Sequence, residues 1–82
     1  MIVKTATGST YEFRLNEHGT PIEVRRVPAS DGAQLRADEE WKQILALPLG
    51  LPTVGQRMVL VLEPLGDAGP TTRTTTEVVS IA

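Results

Sequence analysis

Glycine and proline cut this chain into short pieces, and that punctuation limits what it can build. Turn-forming clusters stand at Thr7-Gly8-Ser9, at "NEHGT", at Asp31-Gly32, at "PLGLPTVG" and at "GDAGP". Gly8 can supply a positive φ, and Pro48 and Pro52 stiffen the connector around Gly50 and Gly55. The pieces between these turns are of strand length. In "TYEFRL", Tyr11, Phe13 and Leu15 share one face while Thr10, Glu12 and Arg14 share the other. Successive strand side chains point to opposite faces, so one face of this segment is expected to pack inward.

The same reading assigns a first strand from Ile2 to Ala6 and a third in "PIEVRRVP". There Ile22 and Val24 oppose Glu23 and Arg25, and Arg26-Val27 breaks the alternation, which suggests a β-bulge or the strand's end. Pro21 and Pro28 cannot donate ladder hydrogen bonds, so this segment is expected at a sheet edge. "RMVLVL" is apolar on both faces from Met58 to Leu62, which predicts a central strand covered on both sides. A closing strand runs from about Thr72 to Ile81, with Val78, Val79 and Ile81 expected to anchor it in the core.

The stretch "QLRADEEWKQILALP" reads in two ways. Asp38, Glu39 and Glu40 could cap and charge a short helix over 38–46, with Trp41, Ile44 and Leu45 on one face. Alternatively, Gln34 to Arg36 and Trp41 to Leu47 form two strands around a turn at Ala37 to Glu40. A helix here would last barely two and a half turns before Pro48, and short helices are marginal without tertiary support. The all-β surroundings favour the hairpin.

A chain of 82 residues has one core to offer, so residues 1–82 form a single domain. Six to seven short strands separated by Gly and Pro turns predict an all-β fold, a small partly open barrel or roll of the SH3-like or OB-like type. With 40% hydrophobic and 22% charged residues the composition is that of a folding globular chain. It has no cysteine, which excludes disulfides, thiolate metal sites and a thiol nucleophile. The N-terminal residues are too polar for a secretory signal and no apolar run reaches membrane-spanning length, so the chain is expected in the cytoplasm, away from membranes. A net charge of −2 provides no global basic field for nucleic acid.

The segments "TATGSTYEF", "VRRV", "LRADEEW", "VGQRMVLVLEPLG" and "TTRTTTEVVSI", in that order, resemble a group of small proteins of unknown function encoded by phages of actinobacteria and by their prophages. The resemblance implies an Asp-Gly turn just before the tryptophan, and this chain departs from it with Asp38-Glu39-Glu40, which leaves the hairpin there open. The resemblance implies no activity. It implies a setting, a bacterial cytoplasm during infection or lysogeny, with a host, phage or nucleic-acid partner.

Catalysis finds little purchase. The one histidine, His18, lies in a turn with no Gly-x-Ser-x-Gly elbow to accompany it. The acidic run at 38–40 lacks the ligand spacing of a calcium loop, and "TATGST" and "LGLPTVG" meet neither phosphate-binding pattern. No enzyme activity, metal or cofactor is expected.

Arginine is more informative, supplying six of the eight basic residues. Guanidinium groups suit carboxylate and phosphate recognition and are enriched at interfaces. Arg25, Arg26, Arg36 and Arg57 with Trp41 make a candidate binding patch, although Glu12 and Glu23 are placed to neutralise Arg14 and Arg25. With only Tyr11, Phe13 and Trp41 as aromatics, Trp41 is expected in the core or at an oligomer interface. Thr72, Thr74 and Thr76 alternate onto one face and make a candidate edge or oligomer strand, able to recruit a second chain by sheet extension. An ice-facing threonine array would need several matching strands, and only Thr5 and Thr7 extend this one.

The function expected is therefore a non-enzymatic module that binds a macromolecule or assembles with itself. Alternatives are an arginine-patch barrel for nucleic acid, an oligomer that holds a small anion between subunits, and a minor component of the virion.

Overall fold

The computed structural model describes residues 1–29, 38–66 and 69–82. They form β1 (Ile2–Thr5), β2 (Thr10–Leu15), β3 (Pro21–Val27), β4 (Lys42–Ala46), β5 (Arg57–Leu62) and β6 (Thr71–Ile81). Every neighbouring pair is antiparallel, and β6 returns to β1 to close the ring in simple chain order. The small all-β barrel expected from the punctuation is what forms, and it is closed. No helix among the described residues is long and apolar enough to cross a membrane.

Local chemistry sets the turns. Gly8 and Gly19 take φ values of 90° and 79°, the left-handed region that the β1–β2 and β2–β3 turns require. Asn16 fixes the second turn by accepting the backbone N–H groups of His18 and Thr20 on its side-chain oxygen at 2.8 and 3.0 Å. Residues 38–40 form a turn, not the first turn of a helix, and Glu39 sits there at φ 68°. The segment after it runs as β4, so of the two readings of 38–46 the strand is the one adopted. Its ladder partners are β3 and β5; the companion strand expected at Gln34 to Arg36, like the Asp31-Gly32 turn, lies outside the described residues.

The core is Val3, Tyr11, Phe13, Val24, Met58, Leu60, Leu62 and Val78, with Met1, Ile44 and Leu47 packed against it. β5 supplies three of these residues by strict alternation: Met58, Leu60 and Leu62 are buried, whereas Val59 and Val61 are half-buried. The expectation of a strand covered on both sides is corrected accordingly, because a closed barrel has one inside. β3 is not an edge either. It pairs with β2 along its length and with β4 at Glu23 and Val24, and beyond them the Arg26 carbonyl accepts the Glu39 N–H at 2.8 Å.

Bulges bend the strands into the ring and decide which apolar residues face out. The registers skip Ile22 in β3, Leu45 in β4 and Val79 in β6. All three bulged residues are exposed, at 41%, 48% and 54%. Val79 and Ile81 are therefore not core anchors; of the expected trio only Val78 is buried. Leu15, expected inside with Tyr11 and Phe13, is exposed where the ladder shifts at the end of β2.

Candidate binding face

Register brings a mixed row of side chains onto the outer face of β2, β3 and β4. Glu12 pairs with Arg25, Arg14 with Glu23, and Glu23 with Gln43. Trp41, just before β4, is half-buried and lies outside the core cluster, so of the two places expected for it, core or oligomer interface, the core is not the one it takes. The Arg14 guanidinium lies 3.9 Å from the centre of its ring and that of Arg25 lies 5.2 Å away. At these distances the ring's negative face attracts both cations.

The two arginines are also neutralised. Arg25 donates from Nε and Nη2 to Glu12 Oε2 at 3.1 and 2.8 Å, while Arg14 reaches Glu23 at 3.4 Å. The second pair is largely exposed and contributes little to stability. What results is an aromatic ring with two guanidinium groups against it, each of them also paired with a glutamate. Arg14 and Gln43 were not singled out as site residues from the sequence. The signal that finds them is cross-strand register, which alternation alone does not supply.

The other described arginines, Arg26, Arg57 and Arg73, go elsewhere. Arg26 points to the other side of β3, where its guanidinium binds the buried carboxylate of Asp38 and donates to Ser9 Oγ at 3.1 Å. Arg73 of β6 lies 3.8 Å from the other oxygen of Asp38. This ionic cluster bridges β3, the 38–40 turn and β6, and it borders Tyr11. Burial raises the Tyr11 phenol above its ordinary value of 10.0, against the opposing pull of Arg26 and Arg73. Arg57 is exposed opposite Glu77 on the β5–β6 pair, and Arg36 lies outside the described residues. Among the described residues of the expected patch of Arg25, Arg26, Arg36, Arg57 and Trp41, Arg25 and Trp41 come together, with Arg14 as their third member, whereas Arg26 and Arg57 lie apart from them.

The threonine strand is not an edge. β6 pairs with β5 through Thr71–Thr74 and Glu77, and with β1 through Val78, Ser80 and Ile81. Thr72 and Thr74 are exposed as expected, but Thr76 is half-buried and its hydroxyl meets the Thr7 hydroxyl at 3.4 Å. Where the β5 ladder is interrupted, Thr75 takes over: its Oγ1 accepts the Met58 N–H at 3.0 Å and donates to the Thr76 carbonyl at 2.7 Å. The hydroxyls at Thr75 and Thr76 serve the junction at which β6 changes partners.

Among the described residues no group of three or more His, Asp or Glu side chains is placed to hold a metal ion. Compared with protein-family models, curated proteins and solved structures, the chain matches none of them.

Proposed function

We propose that this protein is a non-enzymatic binding module that docks a protein partner on the outer face of β2, β3 and β4. The observation that carries the reading is Trp41, displaced from the core and stacked beside Arg14 and Arg25. Tryptophan and arginine dominate binding energy at protein interfaces, and a pre-oriented pair loses little side-chain entropy on docking. The charge pairing favours protein over nucleic acid, because a phosphate backbone would have to compete with Glu12 for Arg25 and with Glu23 for Arg14.

The test is capture from bacterial lysate, the setting that the resemblance implies, on immobilised protein and on its Trp41→Ser and Arg14→Glu variants, followed by size-exclusion mass measurement. A partner retained by the parent protein and lost with either variant is the expected result. A partner captured equally by all three overturns the assignment of the face, and retention of nucleic acid that falls steeply with salt favours the arginine reading instead.

A further inference from the structure

The face that holds Trp41 continues into a groove whose chemistry points to the kind of segment that fills it. Two depressions meet at Ile22. One is lined by Ile22, Glu23, Gln43 and Glu63, the other chiefly by Pro21, Ile22, Ile44, Leu45 and Leu47. The first is acidic. Gln43 stands between the two glutamates, as the register partner of Glu23 and through bonds from its own N–H to Glu63 Oε1 at 2.8 Å and from the Glu63 N–H to its carbonyl at 3.0 Å. Among the described residues Glu63 has no lysine or arginine within ion-pair distance, and the only one near Glu23 is Arg14, itself stacked on Trp41.

The second depression is apolar because two bulges turn Ile22 and Leu45 outward. A bulge re-aims a side chain at a stated position, and these two do so side by side on neighbouring strands. Along β4 the acidic row at Gln43 and the apolar floor at Leu45 are two residues apart, about 7 Å in an extended chain.

We infer that this groove takes an extended segment of a protein partner in which a basic residue and an aliphatic one stand two positions apart. The basic head meets Glu23 and Glu63, its methylene stem lies along Ile22, and the aliphatic side chain covers Leu45 and Ile44. Charge complementarity selects the occupant: a lysine or arginine presents both the stem and the head that the two depressions require. The inference rests on the proposal that this face is the docking face, and it names what docks there.

The experiment is a ¹⁵N–¹H correlation titration of the whole protein with the peptide acetyl-Thr-Lys-Thr-Leu-Thr-amide. Two controls replace its lysine by glutamate or its leucine by serine. Saturable shifts of the Gln43, Leu45 and Glu63 amides are expected, at least fivefold weaker with either control and with the Glu63→Gln and Leu45→Ser variants. Groove amides that stay silent, or that respond equally to the glutamate peptide, overturn the inference. So do groove signals that move with protein concentration alone, which would mark a second copy as the occupant. The Trp41 indole N–H reports separately: its shift with a silent groove sinks only the segment chemistry, whereas a responding groove with an unmoved indole supports the groove and detaches it from the Trp41 reading.

Discussion

Trp41 and Phe13 have similar apolar surface and opposite structural standing. Phe13 is 5% exposed within the core, whereas Trp41 leans on two guanidinium groups outside it. Replacing Phe13 with alanine removes a core side chain and is expected to cost about 3–5 kcal/mol. Trp41→Ala forfeits a partly solvated cation–π contact, and about 1 kcal/mol is expected. Urea denaturation of both variants checks this, and an equal loss would place Trp41 among the structural residues. Tyr11 tests burial differently. Its phenol pKa is raised in the folded state, so its neutral form contributes stability that is complete below pH 10 and lost as pH climbs through the folded value. The phenolate absorbance of this sole tyrosine is expected to rise with a midpoint above 10, together with loss of the fold. Titration at 10 in a protein that stays folded would contradict its burial.

Single strands show how side-chain type serves a junction. Thr75 supplies the acceptor for the Met58 N–H where β6 leaves register with β5. Thr75→Val keeps the shape and strands that buried donor, so a loss of about 1–3 kcal/mol is expected, against less than about 0.5 for Thr72→Val or Thr74→Val on the exposed face. Equal urea midpoints for the three variants would remove the hydroxyl's structural role. This strand also marks where legibility in the sequence ended. β5 is legible from its unbroken apolar run and β4 stays open between helix and strand; alternation identified the inward faces of Tyr11 and Phe13 and the exposure of Thr72 and Thr74. It failed at Val79, and equally at Leu15, because a bulge shifts the phase of everything beyond it and no residue type announces it. Ile22 and Leu45 were opaque for the same reason. The candidate site was half visible: Arg25 and Trp41 were named, but Arg26 lies one residue along and therefore on the opposite face, bound to Asp38.

Across the whole molecule, ring closure is the most distant act in the sequence, for it joins Val3 to Ile81 and Thr5 to Val78. Closing a loop of that length costs chain entropy before its contacts return anything, and barrels dominated by such pairings fold in milliseconds to seconds. The β2–β3 ladder is local by comparison, running from Leu15 opposite Pro21 to Thr10 opposite Val27. Folding is therefore expected to begin in that hairpin and to end with β6 docking on β1. Val3 is fully buried, and Val3→Ala should cost about 2 kcal/mol. If closure comes last, nearly all of that loss appears as faster unfolding, whereas Phe13→Ala also slows folding, because its contacts are already made in the transition state. Stopped-flow chevrons of the two variants separate these cases. A Val3→Ala protein that folds slowly and unfolds at the parent rate would mean that the ends of the chain meet first and the hairpin forms within a ring already closed.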